Sequence, residues 1–279
     1  MKKLTKDEIG KLGLYEFQAY IGAMKSPTFG GWKGTNRLIE LLKINDIKKP
    51  KILEAGCSTG YITRHIAKRF DCEITGIDLG DLVIEIAREE TQKLNLTNVI
   101  FQTANVENLP FPDNSFDIVF GEAITALVPN PIKVLKEYRR VLKLNGKIAT
   151  LDLFMKESLS EEIMEEISEI MSLVIGTPIR IRTFQEWEQI FTESGFNSIK
   201  MNEYYDDIFK RSYSFSDLVK IMFKMLYHMI VNKEMRKKIS PTLKFSRKFQ
   251  KTLKEGHFGY LIFTGTKEKL NLNIIRKLV

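Results

Sequence analysis

From Lys51 onward, short apolar stretches alternate with amphipathic segments. Five stretches are short, β-rich and bounded by turn residues, and each predicts a buried strand: KILEA (51–55), EITGID (73–78), VIFQTA (99–104), FDIVFG (116–121) and KIATLDLF (147–154). Between them, YITRHIAKRF, DLVIEIAREETQKLNL and PIKVLKEYRRVLK carry apolar residues at helical spacing. Strands buried on both faces and joined by helical crossovers predict a doubly wound, mostly parallel sheet of an α/β protein.

The C-terminal half of the chain adds helices and two more strands. Residues 156–182 predict an inserted helix that ends at Gly176 and Pro178. TFQEWEQIFTESGF predicts a second helix, with Thr183 as N-cap and Glu186 as its capping-box partner. SIKMNEYY and GYLIFTGTK (259–267) predict the last two strands, which makes a seven-stranded sheet.

These elements predict a division of the chain into three parts. Residues 1–46 form an N-terminal helical cap, and residues 47–207 with 257–279 form the core, which includes the helical insertion at 156–182. Residues 208–256 form a helical insertion in the connection between the last two strands.

The positive charge of the chain is concentrated in this second insertion. The net charge is +8, and residues 208–256 contain 13 Lys and Arg against 3 acidic residues. Three interpretations stay open: a lid with an apolar inner face and a stripe of Lys220 and Lys224, a surface that rests on anionic lipid headgroups, or a holder of an acidic substrate. Nucleic acid is a disfavoured partner, because no RNA-binding module is appended.

The cysteine content and the first residues favour a cytoplasmic protein. Cys57 and Cys72 cannot form a disulfide framework, and no Cys/His cluster has zinc-ligand spacing, so we expect no metal. The basic start MKKLTKDEIGKLG is not followed by an apolar signal-peptide core. No window is apolar for long enough to predict a membrane span.

The segment GCSTG (56–60) has two incompatible interpretations. As G-x-S-x-G it is a hydrolase nucleophile elbow with Ser58 as the attacking group. That interpretation is weak, because no convincing strand precedes position 51 and only His228 and His257 follow in the order Ser, acid, His, the first of them inside an apolar helical run. A dinucleotide loop is also disfavoured, since G-x-G-x-x-G keeps only its first glycine.

A nucleotide-binding loop explains the surroundings of GCSTG better. Glu54 ends the first predicted strand, and Gly56 and Gly60 permit a close approach of the backbone. Asp78 closes the second strand, 22 residues after Gly56. A carboxylate at the end of the second strand can accept hydrogen bonds from both hydroxyls of a ribose.

These residues resemble class I S-adenosylmethionine-dependent methyltransferases. ILEAGCSTGYIT, GIDLGDLVIEIARE, ANVENLPFPDNSFDIVF and VLKEYRRVLKLNGKI are similar to the family's motifs, in order, over residues 50–155. The resemblance implies a Rossmann-like methyltransferase fold with S-adenosylmethionine as cofactor and S-adenosylhomocysteine as product. Upstream, Y-x-x-x-x-x-S-P-T-F-G-G-W-K-G-T (20–35) is similar to the cap of small-molecule members such as phosphoethanolamine and quinone-pathway methyltransferases.

The resemblance also implies a role for individual residues. Glu54 would attract the ammonium group of the methionine moiety, and Asp78 would bind the ribose, with Leu79 packed on the adenine. Asn105 stands where the family has Asp and would accept from the adenine amino group, beside the Val106 N–H. The complete implied cofactor set is Tyr20, Gly31, Thr35, Glu54, Ala55, Gly56, Cys57, Gly60, Asp78, Leu79, Asn105, Val106 and Glu122.

Simpler roles remain open for several of these residues. Glu54 and Asp78 could be strand-end caps, Asn105 a turn residue, and Thr35 the N-cap of the helix NRLIELLK. We expect the Cys57 thiol to pack rather than react. Ser58 is then a substitute for a glycine and not a nucleophile.

The predicted function is transfer of a methyl group to a small, lipophilic or anionic acceptor. The methyl group of the cofactor is already activated, so alignment and exclusion of water suffice, and no catalytic residue is assigned. Two alternatives are a non-catalytic S-adenosylmethionine-binding protein and an RNA or protein methyltransferase. Arsenite methylation is disfavoured, because thiols beyond Cys57 and Cys72 are missing. The oligomeric state stays open.

Overall fold

One eight-stranded sheet forms the centre of the protein. The computed structural model describes residues 4–24, 30–156, 159–175, 179–206, 208, 214–241 and 256–269. The strands are β1 (Lys51–Ala55), β2 (Glu73–Asp78), β3 (Val99–Thr103), β4 (Phe116–Glu122), β5 (Leu142–Met155), β6 (Arg182–Thr183), β7 (Asn197–Tyr204) and β8 (Phe258–Thr266). Their order is β3-β2-β1-β4-β5-β8-β7, with β6 paired to β5.

The predicted fold class is confirmed. β1 to β5 pair in parallel, and β8 runs antiparallel to both β5 and β7. β5 begins earlier than predicted, at Leu142, and β6 was not predicted because two residues show no periodicity. Strand order reverses between β1 and β4, and the carboxyl edge of the sheet at such a reversal is where open α/β sheets bind ligands.

Helices cover both faces of this sheet. They are α1 (Lys6–Lys11), α2 (Leu14–Ile21), α3 (Gly31–Leu42), α4 (Tyr61–Arg69), α5 (Asp81–Gln92), α6 (Pro131–Val141), α7 (Glu161–Ile175), α8 (Phe184–Glu193) and α9 (Phe215–Val231), and residues 233–241 are also helical. The predicted capping box of α8 is confirmed, because Thr183 and Glu186 exchange side-chain and backbone hydrogen bonds. Two buried apolar clusters pack these helices against the two sides of the strands.

The N-terminal helices extend the core above the carboxyl edge. Ala19 of α2 packs on Val83 and Ile86 of α5, so α2 lies beside the end of β2. Phe17 and Ile21, on the same helix, pack in a separate apolar cluster that α9 covers. α2 therefore joins the core to the second insertion.

The two predicted insertions contain helices. α7 lies within 156–182, and the predicted end of that helix at Gly176 and Pro178 lies outside the described residues. α9 and the helix 233–241 lie between β7 and β8 in the chain, while these strands pair directly, as predicted for an insertion in a hairpin connection. In the part of the chain that the structure describes, no helix is both long and apolar enough to cross a bilayer. The domain boundaries themselves stay a prediction.

Candidate functional site

The glycine loop after β1 needs its glycines for its own packing. Gly56 and Gly60 have φ values of +71° and +72°, in the left-handed region that favours glycine. A Cβ at Gly60 would lie 2.4 Å from the Phe101 ring, and one at Gly56 would lie 3.0 Å from Ile124. The sequence analysis explained both glycines by the close approach of a cofactor. In the structure, the side chains of Phe101 and Ile124 leave little room for a Cβ at these two positions.

Ser58 occupies a left-handed conformation between these glycines. Its φ is +50°, which a residue with a Cβ adopts only at a cost of about 1–3 kcal/mol. Its backbone N–H donates a 2.9 Å hydrogen bond to Oδ2 of Asp78. Ser58, which stands where the family usually has glycine, therefore positions the Asp78 carboxylate, which was predicted to bind the ribose.

Asp78 ends β2 with three donors around its carboxylate. Oδ2 accepts from the Ser58 N–H and, at 3.1 Å, from the Tyr15 hydroxyl, and Oδ1 accepts from the Gly80 N–H at 3.1 Å. The side chain is buried, and burial raises the pKa of Asp78 although each of these donors lowers it. The geometry shows a carboxylate that is held in one orientation.

Tyr15 of α2 was not among the predicted residues. Burial and the nearby charge of Asp78 raise the pKa of the Tyr15 phenol well above its usual value of 10.0, so the phenol stays a hydrogen-bond donor. No sequence signal identifies this contact, because Tyr15 and Asp78 are 63 positions apart and Tyr15 fits the helical pattern of α2 as an ordinary core residue.

Glu54 is the penultimate residue of β1, just before the glycine loop, and is 2% exposed. Thr63, on the first turns of α4, donates a side-chain hydrogen bond to its Oε2. The pKa of Glu54 is raised to about 8, mainly by burial and also by the negative charges of Glu122 and Asp78, while Thr63 and Arg64 oppose the shift. Glu122 and Asp78 are therefore close enough to Glu54 to affect its ionisation.

Glu122 ends β4 and is held by the N-terminal region. Oε2 of Glu122 accepts a 3.1 Å hydrogen bond from Oγ1 of Thr35, and both side chains are buried. Thr35 lies inside α3, which begins at Gly31, so the alternative role of Thr35 as a helix N-cap is wrong. Gly31 has a φ of +52° at the start of the same helix.

Tyr20 contacts the apolar cluster between α2 and α9. It packs on α2 against the apolar cluster under α9, with its ring centroid 6.2 Å from that of His228. His228 also meets Phe17 edge-on at 5.5 Å. The rings of Tyr20, Phe17 and His228 therefore pack between α2 and α9. The cofactor role of Tyr20 stays a prediction.

Arg64 is the buried cation of this region, and sequence reasoning missed it. Its Nη1 donates to the carbonyl oxygens of Thr59, at 2.7 Å, and Ala87, at 3.4 Å, so it ties the glycine loop to α5. Burial lowers the pKa of Arg64 from its usual value, although neighbouring carboxylates raise it. Arg64 thus braces the loop with backbone bonds and forms no hydrogen bond with the three acids among the contacts described.

The remaining predicted residues line the loop and its adenine side. Ala55 is buried at the end of β1, and Cys57 packs against Ile84 and Phe101 with a thiol whose pKa burial raises well above its usual value. The Cys57 thiol therefore packs in the core, and a contact of Cys57 with the cofactor stays a prediction. Leu79 follows Asp78 with 71% of its side chain exposed.

Asn105 and Val106 follow β3 at the same edge of the sheet. Oδ1 of Asn105 accepts a 2.8 Å hydrogen bond from the Glu107 N–H, which is the turn role considered above. The amide oxygen keeps a second lone pair, so it can still accept from an adenine amino group. Val106 is 7% exposed, and the exposed Asn105 side chain stands beside it.

Asp152 positions the loop after β4 from below. It is fully buried on β5, and its Oδ1 accepts a 3.0 Å hydrogen bond from the Ala126 N–H. Burial raises the pKa of Asp152 to about 6. Since Ile124 of this loop lies against Gly56 and Gly121, Asp152 indirectly supports the glycine loop.

The charges of the site suit a cationic ligand. Glu54, Asp78 and Glu122 are all buried at the carboxyl edge, where they would attract the positive charges of a ligand with an ammonium and a sulfonium group. Within the described ranges, no group of three or more His, Cys, Asp or Glu side chains is arranged to hold a metal ion. The binding of S-adenosylmethionine by these three acids stays a prediction.

Comparisons with known proteins place the chain in a family. The model of a methyltransferase domain matches residues 47–210. An uncharacterized protein of Haemophilus influenzae is 34% identical over 199 residues, which are 70% of this chain and 75% of that protein. A demethylmenaquinone methyltransferase of Listeria welshimeri is 34% identical over 116 residues, 40% of this chain and 49% of that enzyme.

Solved structures share the fold at low sequence identity. The [4+2]-cyclase SpnF has a TM-score of 0.70 at 17% identity, over 95% of this chain and 96% of that one. Phosphoethanolamine N-methyltransferase 2 of Haemonchus contortus, solved with S-adenosyl-L-methionine, has a TM-score of 0.66 at 18% identity, over 95% of this chain and 58% of that one. These likenesses confirm the Rossmann-like architecture.

The chain belongs to the methyltransferase domain family. It is by class an S-adenosylmethionine-dependent methyltransferase, as its motifs predict, and the nucleotide interpretation of GCSTG replaces the hydrolase one. The chain spans about half the length of the demethylmenaquinone methyltransferase that it matches.

Proposed function

We propose that the protein transfers the methyl group of S-adenosylmethionine to a small, lipophilic or anionic acceptor. The observation that carries this proposal is the trio of buried carboxylates, Glu54, Asp78 and Glu122, around a glycine loop at the strand-order reversal. When bound, the cofactor supplies a methyl group on a positively charged sulfur, which is electrophilic without further activation.

The residues of the chain bind and orient the cofactor in this proposal. Glu54 holds the ammonium group, and Asp78, fixed by the Ser58 and Gly80 amides, accepts from the ribose hydroxyls. Glu122 and Thr35 face the methionine end from β4 and α3. Rigid placement of these groups lowers the barrier by fixing the line along which an acceptor atom approaches the methyl group.

The N-terminal helices exclude water from this edge. Tyr15 of α2 touches Asp78, and Oγ1 of Thr59 donates a 2.9 Å hydrogen bond to the Met24 carbonyl oxygen, so the segment 15–24 lies over the loop. A dry site suits a reaction between a sulfonium cation and a nucleophile, because fixed protein dipoles replace solvent. A general base is not part of the proposal.

An open groove beside this cap is a candidate path for the acceptor. It has a volume of about 1350 Å³ and runs between α7, the helix 233–241 and the start of α2. Its walls combine apolar side chains, such as Leu14 and Met164, with charged side chains of both signs: Glu161, Glu165, Glu169, Arg180, Lys237 and Lys238. Leu14 adjoins Tyr15, and a groove of this mixed composition fits an amphipathic acceptor.

The named relatives support the same acceptor class. One is named for demethylmenaquinone, a lipophilic substrate, and the structural neighbour from Haemonchus contortus is named for phosphoethanolamine, an anionic one. We propose a cytoplasmic location with these activities, since Cys57 and Cys72 are free thiols.

Turnover tests the proposal. Formation of S-adenosylhomocysteine is measured with panels of quinones, amines, thiols and lipids, in wild type and in Asp78→Ala. We expect turnover with at least one amphipathic acceptor and none in the variant. Tight cofactor binding with no turnover on any panel would favour the non-catalytic alternative. Turnover on RNA or protein alone would favour the remaining alternative.

A further inference from the structure

The outer side of α9 is a broad apolar surface. Seven of its large apolar side chains are between 46% and 83% exposed: Phe215, Leu218, Met222, Phe223, Leu226, Tyr227 and Ile230. At 100° per residue they share one side of the helix. Water-soluble proteins rarely expose so many neighbouring apolar side chains on one element without using them.

The opposite side of α9 is already occupied. Ile221, Met225 and Met229 pack on the cluster that contains Phe17 and Ile21 of α2. Lys224 donates a 3.1 Å hydrogen bond from Nζ to the Ile21 carbonyl oxygen, which anchors the same side. The apolar surface therefore points away from α2. The sequence predicted a lid with an apolar inner face, whereas the larger apolar face of α9 lies on its outer side.

The helix that follows keeps α9 in this orientation. Arg236 donates from Nε and Nη2 to the carbonyl oxygens of Met229 and Ile230, at 2.8 and 3.0 Å. Lys238 donates from Nζ to the carbonyl oxygens of Gly10 and Leu12. The Arg236 bonds pair backbone carbonyl groups at the C-terminal end of α9. The Lys238 bonds connect the insertion to the end of α1.

Cations border the apolar surface. Lys220 lies on α9 with its side chain 71% exposed, 3.9 Å from Asp217, and the exposed Lys233 follows α9 at the start of the next helix. The whole segment 208–256 has 13 basic and 3 acidic residues, and the rest of the chain is nearly neutral. An apolar helix face edged by lysines matches the boundary between acyl chains and anionic headgroups.

We propose that the outer face of α9 docks on the surface of an anionic lipid bilayer. The apolar side chains enter the headgroup boundary, and the flanking lysines contact the lipid phosphates. This docking goes beyond methyl transfer and does not depend on it.

Charge argues against a second copy as the occupant. Face-to-face pairing of two α9 helices would bring two strongly basic segments together, and like charges across an interface disfavour association. A lipid surface has the opposite charge and offers apolar volume beneath it. The bilayer is therefore the occupant that fits both properties of the face.

Vesicle sedimentation tests the docking. The full chain is mixed with phosphatidylcholine–phosphatidylglycerol vesicles, or with phosphatidylcholine alone, at low and high salt. We expect pelleting with the anionic vesicles, weakened by salt and at least about tenfold weaker without phosphatidylglycerol. Asp78→Ala is expected to pellet like wild type, which separates this result from a failure of cofactor binding.

Two pairs of variants identify the surface. Phe223→Gln with Ile230→Gln should lower the partition coefficient at least about tenfold, and Ile100→Gln with Leu144→Gln, which removes similarly exposed apolar side chains elsewhere, should not. Lys220→Glu with Lys233→Glu should lower it more than Lys68→Glu with Lys136→Glu, at equal net charge. Circular dichroism confirms that each variant is folded.

Three outcomes would overturn the docking. They are no pelleting of wild type, equal pelleting of the α9 variants and their controls, or a dimer in light scattering that the Phe223 and Ile230 changes dissociate. If α9 instead closed over the acceptor, the Phe223 and Ile230 variant would lose turnover of a soluble acceptor in the absence of vesicles. In that case wild type would also not pellet with vesicles.

Discussion

The backbone N–H of Ser58 donates a 2.9 Å hydrogen bond to Oδ2 of Asp78, although the φ of Ser58 is +50°. The loop after β1 thereby orients the acid at the end of the neighbouring strand β2. The side chain of Ser58 plays no part in that bond. The position requires a left-handed backbone with a free N–H, which glycine adopts more readily.

Ser58→Gly is expected to stabilise the protein. The change removes the strain of a left-handed residue with a Cβ and keeps the N–H, so we expect a gain of about 1 kcal/mol in the free energy of unfolding. Affinity for S-adenosylhomocysteine should stay within about threefold. Chemical denaturation and calorimetry measure both. Ser58→Ala should change little, and Asn95→Gly, at a left-handed position far from the site, is the control for the backbone effect. A large loss of affinity in Ser58→Ala would restore a role for the hydroxyl.

The stability of the cofactor-free protein should fall as pH rises. The pKa of Glu54 is about 8 in the folded chain against 4.5 for an ordinary Glu, so the folded protein keeps a proton that the unfolded chain releases. The stabilisation is complete below pH 4.5 and is lost as pH rises to 8 and beyond. Thermal melts across this window should slope downward in wild type and less in Glu54→Gln. The exposed Glu188→Gln is the control, and equal slopes in all three proteins would contradict the assignment.

Cofactor binding should release a proton below pH 8. The ammonium group of the ligand favours ionised Glu54, whose free-state pKa is about 8, so binding must displace the proton. Calorimetry with S-adenosylhomocysteine in buffers of different ionisation enthalpy measures the proton count. We expect nearly one proton released at pH 7 in wild type and none in Glu54→Gln, which should also bind more weakly. A proton count of zero for wild type would place the ammonium group elsewhere.

The Tyr15 hydroxyl should matter more in the free protein than in the complex. Tyr15→Phe removes one donor to Asp78 and is expected to cost about 0.5–1.5 kcal/mol of stability. Ribose hydroxyls would replace that donor, so the loss should shrink at saturating S-adenosylhomocysteine. Melts with and without ligand measure this, and Tyr227→Phe, at an exposed position on α9, is the control. An equal loss in both states would show that Tyr15 keeps its bond when ligand is present.

The parallel core could be predicted because each strand is a local apolar run. β1 and β2 have the predicted bounds, and the carboxyl ends of these strands place Glu54 and Asp78 at one edge by topology alone. The two-residue strand Arg182–Thr183 carries no periodic signal and was missed.

The supporting contacts of the site could not be predicted in the same way. Tyr15, Thr63 and Arg64 fit ordinary helical patterns, and their partners depend on how helices dock on the sheet. The sequence also could not predict which face of α9 is exposed, because apolar residues surround most of that helix. Which side packs is decided by the contact with α2.

Calorimetry with S-adenosylhomocysteine is the most direct test of the central claim that this edge binds the methyl donor. Wild type and Asp71→Ala, which changes an exposed acid just before β2, should bind with similar affinity. Asp78→Ala should lose binding by at least about 100-fold while remaining folded, because the ribose loses a charge-assisted acceptor in a buried site. No heat of binding for wild type, or unchanged affinity in Asp78→Ala, would contradict the account.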